Sequence, residues 1–145
     1  GFSVYYSHNS YVAEVAHLRM DGNTPKVEKV TCAVDCGIVV NPIAAKNLVE
    51  GGVVDGVGHS MFGDFIFENG QTTVTNFDQY RLIRTNEAPK VDVFFVDSDV
   101  DPTGLGEPTL PPVGAAVANA IYKATGQRLT KQPYMNNLQA EKVVG

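Results

Sequence analysis

An α+β domain, in which a mixed sheet made of β-hairpins packs with two helices, is the fold class that this sequence predicts. Two β-rich runs separated by a turn-forming cluster, a second short hairpin, and two segments with helix start or stop signals lead to this prediction. The chain has 145 residues, of which 43% are hydrophobic, so it can bury a core of its own. Because no repeat or low-complexity stretch interrupts it, we expect a single domain over residues 1–145.

The first hairpin is predicted from residues 11–20 and 26–34, which are rich in residues that favour extended structure. Between them stands Asp21-Gly22-Asn23-Thr24-Pro25, a cluster of turn-forming residues. The opening residues before this hairpin are also strand-like. Residues 91–96 form the strongest single strand of the sequence.

A second, shorter hairpin is predicted where residues 65–67 and 72–75 flank Glu68-Asn69-Gly70-Gln71. Its Asn-Gly pair supplies the positive φ angles that a tight turn requires. We further expect a short edge strand at residues 80–83.

Two helices are predicted. Asn41-Pro42 is typical of an N-cap followed by a first-turn proline, and this helix should continue to about Ser60. The second follows Pro111-Pro112 and ends at Gly126, where glycine suits a left-handed C-cap. Its apolar face should contain Val113, Val117, Ala120 or Ile121, and Ala124. Beyond Pro133 we expect a weakly specified tail.

Charge and cysteine content narrow the classes of partner. The net charge is −5 and the eleven basic residues are scattered, so neither nucleic acid nor an anionic membrane is an expected partner. No window contains the roughly 18 apolar residues that a membrane-spanning helix needs. Cys32 and Cys36 lie four positions apart in an extended segment, too distant for a disulfide, and the three histidines are isolated, so we predict free thiols and no metal ligands.

The first helix is unusual because Gly51, Gly52, Gly56 and Gly58 lie inside it, each at a cost of about 1 kcal/mol relative to alanine. Small residues recur on one side of it at near-helical spacing: Gly52, Gly56, Ser60 and Gly63. Such a stripe allows close packing of another helix, and it equally allows the approach of a flat ligand.

Polar groups are concentrated in residues 97–108. Asp97, Asp99 and Asp101 alternate as at the start of a calcium-binding loop, but prolines occupy the later positions where an EF-hand needs Gly and Glu, which leaves only a looser calcium site. Glu107 stands between Gly106 and Pro108, just ahead of a helix start that favours an ionised carboxylate. These are the conditions for a general base, although a loop glutamate is more often a solvated surface charge and the residues alone do not assign it the catalytic role.

Four groups of residues follow one another in a specific order: Val34-Asp35-Cys36-Gly37 with Asn41-Pro42; Val49-Glu50-Gly51-Gly52 with Gly56; Gly104-Leu105-Gly106-Glu107-Pro108 with Pro111-Pro112 and Ala118-Asn119-Ala120-Ile121; and Thr125-Gly126-Gln127-Arg128. Together they resemble the C-terminal part of the molybdopterin-binding large subunit of the xanthine oxidase and aldehyde oxidoreductase family. The resemblance runs from about residue 11 to residue 133. The stretch Asn86-Glu87-Ala88-Pro89 is most similar to the isoquinoline 1-oxidoreductase branch.

The resemblance implies a molybdenum hydroxylase, in which water supplies oxygen to a carbon beside nitrogen in an N-heteroaromatic ring, or to an aldehyde. Glu107 matches the family's general base, which takes a proton from the attacking hydroxyl. The cofactor implied is molybdopterin with molybdenum, in the cytosine dinucleotide form, and Gly51, Gly52 and Gly106 are the expected contacts. Leu48 departs from the glutamine that many relatives have there.

The family also implies partners: an iron–sulfur electron-transfer subunit and the rest of the large subunit. Because the chain lacks an initiator Met and opens on strand-like residues, we expect it to begin inside a longer sequence. The family builds its site from several segments, so the resemblance implies that this chain alone is inactive. Two alternatives stay open, a non-catalytic binding or structural domain, with or without calcium, and a relative that has lost its cofactor. The sequence does not distinguish a cytoplasmic from a periplasmic location.

Overall fold

The computed structural model describes residues 1–140 of the chain. Its main sheet has four strands in the order β1-β2-β3-β6, and a separate two-stranded sheet is formed by β4 and β5. Three helices complete the fold of the described residues. In chain order the elements are β1 (Phe2–Ser7), β2 (Ser10–Asp21), β3 (Thr24–Asp35), α1 (Pro42–Met61), β4 (Phe67–Glu68), β5 (Gln71–Thr72), β6 (Lys90–Phe95), α2 (Pro111–Thr125) and α3 (Tyr134–Ala140).

The main sheet is mixed, which confirms the predicted fold class. β1, β2 and β3 are antiparallel neighbours, and β6 returns to pair in parallel with β3. The predicted first hairpin is the β2–β3 pair, in which Asp21 lies opposite Thr24 and Gly22 has a φ of 60°. The predicted strand at residues 91–96 is confirmed as β6.

The hydrophobic core lies between one face of this sheet and the helices. Val12 pairs with Val34, and Ala16 pairs with Val30, so alternating apolar residues of β2 and β3 line up on one face. All are buried against the valines of α1 and α2. This is the alternation expected when helices cover one side of a sheet.

Both predicted long helices are confirmed. Asn41 Oδ1 accepts a hydrogen bond from the Ala44 backbone at 3.1 Å, which is the N-cap geometry that the sequence indicated for α1. Gly126 closes α2 with a φ of 77°, and its N–H donates to the carbonyl of Tyr122. Ala124, predicted on the apolar face, is exposed because the last turn of α2 extends past the core.

The second hairpin is confirmed but shorter than predicted, with Asn69 and Gly70 at φ angles of 52° and 80° in its turn. The predicted edge strand at residues 80–83 is wrong. There the chain is held by side chains, since Ile83 packs on the Gly58 side of α1 and the Arg81 guanidinium stacks over Phe62.

The tail was also predicted wrongly over residues 134–140, which form α3. Its order has a physical cause, because the Tyr134 ring is buried and its hydroxyl donates to the Gly114 carbonyl at 2.9 Å. Residues 141–145 of the predicted tail lie outside the described residues. Cys32 and Cys36 are both free, as predicted, and both are buried.

Candidate functional site

The loop that connects β6 to α2, residues 96–110, carries Glu107 across the end of the sheet. Backbone hydrogen bonds attach the loop to two neighbouring turns. Ile38 N donates to Val100 O at 2.9 Å, and Thr103 N donates to Cys36 O at 2.9 Å. On the other side, Gly104 N donates to the carbonyl of His8, in the β1–β2 turn, at 3.0 Å. The loop is therefore fixed at several points before it reaches Glu107.

Three glycines from separate motifs allow this loop to approach. A β-carbon on Gly37, whose φ is 70°, would collide with the carbonyl of Asp101. One on Gly104 would collide with the His8 side chain, and one on Gly52 with the Thr109 hydroxyl. The spacing of these glycines along the sequence thus reflects one structural requirement, which is close packing around the segment that carries Glu107.

The side chain of Glu107 is 84% exposed. The residues that follow anchor it, since Pro108 and Thr109 are fully buried. Its own carbonyl accepts a hydrogen bond from Leu110 N at 3.1 Å, just before α2 begins. The carboxylate therefore stands on a fixed backbone while its oxygens stay accessible, which is the arrangement a general base needs.

The glycines predicted to contact a cofactor have different surroundings. Gly51 and Gly106 have open space where a β-carbon would project, whereas the same position on Gly52 is occupied by Thr109. Gly51 and Gly106 therefore offer bare backbone to an approaching molecule. Gly52 is close to the loop of its own chain on that side, so a ligand would have to reach it from another direction.

The small-residue stripe of α1 is used for helix packing at two of its positions. A β-carbon on Gly56 would lie 2.8 Å from the Leu110 carbonyl and 2.8 Å from Val113 Cβ, and Gly52 receives Thr109. The packing interpretation of the stripe is therefore confirmed for these two glycines. It places the start of α2, and the loop ahead of it, directly on α1.

The aspartate loop has a structural use. The carbonyls of Val100 and Asp101 contact the turn at Gly37, so the backbone of this segment faces the sheet. Across residues 1–140, no three His, Cys, Asp or Glu side chains come together as a group that could hold a metal ion. Asp97, Asp99 and Asp101 are therefore not gathered around one point.

Two notable residues were missed by the sequence analysis. His8 was judged isolated, but its Nε2 lies 3.9 Å from Glu107 Oε2. Glu14 is fully buried on the core face of β2, where its Oε1 accepts a weak hydrogen bond from Cys32 Sγ at 3.5 Å and its Oε2 has no partner within residues 1–140. A signal existed for Glu14, because a charged residue interrupts the apolar alternation of Val12 and Ala16.

Burial is the main cause of the pKa shifts of Glu14 and Cys32. Removal from water raises the pKa of Glu14 to about 8, and the hydrogen bond from Cys32 only partly offsets this. Burial also raises the pKa of the Cys32 thiol, and the neighbouring Glu14 carboxyl adds to the effect. Both groups are therefore neutral at pH 7.

Comparison with known proteins assigns the family. The profile of the molybdopterin cofactor-binding domain matches residues 2–89, which is more than half of the chain. This chain belongs to the molybdopterin cofactor-binding domain family. The resemblance drawn from the sequence motifs is thereby confirmed.

The curated relatives include isoquinoline 1-oxidoreductase subunit beta from Brevundimonas diminuta, which is 33% identical over 127 residues. A second relative, 37% identical over 121 residues, is named membrane-bound aldehyde dehydrogenase [pyrroloquinoline-quinone] from Gluconacetobacter polyoxogenes. The alignments cover 88% and 82% of this chain, respectively, but 16% of each relative. The chain therefore spans about one-sixth of the length of these proteins.

Solved structures support the fold. Quinoline 2-oxidoreductase from Pseudomonas putida 86 matches with a TM-score of 0.80 at 18% identity, over 92% of this chain and 18% of that one. Aldehyde oxidoreductase from Desulfovibrio gigas matches with a TM-score of 0.65 at 24% identity, over 90% of this chain and 15% of that one. Among the described residues, no helix has the length and apolar character to cross a membrane.

Proposed function

We propose that this chain forms part of a molybdenum hydroxylase and that Glu107 is its general base. The observation that carries the proposal is the position of Glu107, an accessible carboxylate on a loop fixed by contacts at Gly37, Gly104 and Gly52. In a family that binds molybdopterin, such a carboxylate is suited to take a proton from a reacting group.

The residues present fit the close approach of a flat cofactor. Gly51 and Gly106 present backbone without side chains to open space, which is what close approach of a pterin requires. When bound, molybdopterin with molybdenum supplies oxygen derived from water and accepts the electrons of the oxidation. The rest of the chemistry assigned to this chain is proton transfer, with Glu107 as acceptor.

Glu107 is held for this role by its neighbours rather than by its own contacts. The buried Pro108 and Thr109 fix the backbone, while the carboxylate can rotate toward a substrate. General-base assistance of this kind typically accelerates a reaction by about 10²–10⁴-fold. Replacing the carboxylate by an amide should remove that factor.

The finer parts of the proposal follow the family. We propose the cytosine dinucleotide form of the cofactor, an iron–sulfur subunit as electron acceptor, and the remainder of the large subunit as the body that covers Glu107. Several relatives are named as subunits, including the 6-hydroxypseudooxynicotine dehydrogenase complex subunit gamma from Paenarthrobacter nicotinovorans. An N-heteroaromatic compound is the proposed substrate, because isoquinoline and nicotine enzymes recur among the relatives' names, and an aldehyde is the second choice.

One alternative has a specific observation in its favour. Leu48 replaces the glutamine that many relatives have, and it is 49% exposed near Gly51, where it offers a cofactor no hydrogen bond. A relative that has lost its cofactor would keep the fold and lose this contact. Such a protein would act as a binding or structural domain.

Metal and cofactor analysis of the purified full-length protein tests the proposal. Molybdenum together with cytosine dinucleotide pterin, and turnover of N-heterocycles in the presence of an artificial electron acceptor, are the expected results. A protein that contains calcium, pyrroloquinoline quinone or no cofactor at all would contradict the proposal. Oxidation of aldehydes alone would keep the molybdenum assignment and overturn the choice of substrate.

A further inference from the structure

We propose that His8 exchanges protons with Glu107, so that Glu107 is returned to its ionised form after each turnover. This inference rests on the proposed function of Glu107, and it assigns a role to a residue outside the family motifs. The proton leaves the Glu107 carboxyl O–H, forms a new N–H bond at His8 Nε2, and then passes to water. No electrons move in this step.

The position of His8 is fixed by the tight turn between β1 and β2. His8 and Asn9 have φ angles of 54° and 60°, and the Tyr6 hydroxyl donates to Asn9 Oδ1 at 3.0 Å. Few non-glycine residues adopt this left-handed conformation, so two in succession define the direction in which the His8 side chain leaves the backbone.

The same turn is attached to the loop that carries Glu107. The His8 carbonyl accepts a hydrogen bond from Gly104 N at 3.0 Å, and the hydroxyls of Ser10 and Thr103 are 2.7 Å apart. Gly104 has no side chain where the His8 Cβ passes. Three contacts therefore hold His8 and Glu107 in a fixed spatial relationship, even though both side chains lie near the surface.

The imidazole ring is oriented for exchange with Glu107. Ser7 Oγ lies 2.8 Å from His8 Nδ1, and when Nδ1 donates to it, the lone pair of Nε2 faces Glu107. Nε2 and Glu107 Oε2 are 3.9 Å apart, a gap that a rotation of the exposed glutamate closes. The His8 side chain is 56% exposed among the described residues, so none of these residues encloses the ring and blocks onward transfer of the proton.

Histidine is suited to this role because its imidazole takes up and releases protons in the physiological range. A carboxylate that has accepted a proton inside a covered site needs such a path before it can act again. The step lies outside the oxidation itself. Its loss should therefore slow repeated turnover and spare the first oxidation.

His8→Asn in the full-length enzyme tests the proposal, because asparagine tolerates the left-handed backbone but cannot reach Glu107. In dilute buffer we expect kcat to fall about ten-fold, less than loss of the base itself, with KM and the single-turnover rate of substrate oxidation unchanged. A pH indicator in weakly buffered solution should show proton release lagging behind oxidation. Added imidazole should restore kcat.

His17→Asn is the matched control, since His17 is an exposed histidine on β2, and it should behave as wild type. Molybdenum content and melting temperature should be unchanged in both variants. Ser7→Ala, which keeps the imidazole but removes its partner, should lose about two- to three-fold in kcat, between wild type and His8→Asn.

The proposal is overturned if His8→Asn turns over and releases protons like wild type, or if its defect lies in the single-turnover rate and imidazole does not rescue it. Glu107→Gln, measured in parallel, separates this from the proposed function. A normal single-turnover rate in Glu107→Gln would reject Glu107 as the base. A slow one beside an unaffected His8→Asn would reject only His8.

Discussion

The hydroxyl of Thr109 occupies the space that a β-carbon on Gly52 would need. Thr109 is fully buried, its Oγ1 has no hydrogen-bond partner among the described residues, and it follows Glu107 by two positions. The absence of a side chain at Gly52 therefore makes room for Thr109, in the loop that carries the proposed base. The two adjacent glycines of α1 therefore differ in their surroundings, because Gly52 receives the chain's own loop while Gly51 has open space beside it.

Alanine substitutions at Gly51 and Gly52 should change the free energy of unfolding in opposite directions. Gly52→Ala should lower the free energy of unfolding by about 1–2 kcal/mol, because overpacking against Thr109 outweighs the helical preference for alanine. Gly51→Ala has no such neighbour and should stabilise α1 by about 0.5–1 kcal/mol. Denaturant unfolding of the full-length subunit measures both.

Thr109→Ala supplies the control for this pair. Combined with Gly52→Ala it removes the colliding hydroxyl, so the double variant should be more stable than the sum of the single changes predicts. If the changes in the free energy of unfolding were strictly additive, Thr109 would not be the residue that a side chain at position 52 meets. Cofactor content of Gly51→Ala tests separately whether Gly51 contacts the pterin.

The loop of Glu107 offers a second matched comparison. Gly104→Ala would collide with the His8 side chain and displace the loop, and since small misplacements of a catalytic group are costly, turnover should fall about 10–100-fold. Gly106→Ala has open space and should leave the melting temperature unchanged. Activity and thermal melting of both variants check this, and Gly104→Ala should melt at a lower temperature than Gly106→Ala. If the two variants melted at the same temperature, the close contact between Gly104 and His8 would be in doubt.

Ionisation of Glu14 should make stability depend on pH. Its pKa is about 8 in the folded chain, above the ordinary value of 4.5 that applies when unfolded. The folded state therefore holds this proton more tightly, so its contribution is fully present below pH 4.5 and is lost as pH rises toward 8. A shift of this size corresponds to about 5 kcal/mol.

Glu14→Gln removes the ionisable group and keeps its size. Unfolding measured between pH 5 and pH 9 should show a smaller loss of stability in this variant than in wild type, with the largest difference at the alkaline end. Glu28→Gln, on an exposed position of β3, should retain the wild-type pH dependence. Parallel curves for Glu14→Gln and wild type would show that Glu14 is not buried in the full-length protein.

Local signals in the sequence predicted much of the fold. Asn41 as an N-cap, Asn69-Gly70 as a turn and Gly126 as a C-cap each depend on a few neighbouring residues, so the sequence contains the necessary information. α3 was missed because its order comes from Tyr134 packing against α2, a contact between segments far apart in sequence. Tertiary packing of Ile83 likewise replaced the expected edge strand.

The site was predictable in part for the same reason. Glu107 belongs to one continuous motif with Gly104 and Gly106, and the resemblance of that motif to the family marked Glu107 and Gly106 as candidate site residues. His8 could not be found in this way, because it is about a hundred residues from Glu107 and only the approach of the β1–β2 turn to Gly104 brings the two together. The different surroundings of Gly51 and Gly52 likewise depend on a long-range contact, that of α1 with Thr109.

The central claim is that Glu107 is the general base. Glu107→Gln in the full-length enzyme keeps the side-chain volume and should retain molybdenum and pterin, with Glu68→Gln, at the exposed end of β4, as the control. We expect the single-turnover rate of substrate oxidation by Glu107→Gln to fall by about 10²–10⁴-fold at unchanged cofactor content. A fully loaded Glu107→Gln enzyme that oxidises substrate at the wild-type rate would contradict it.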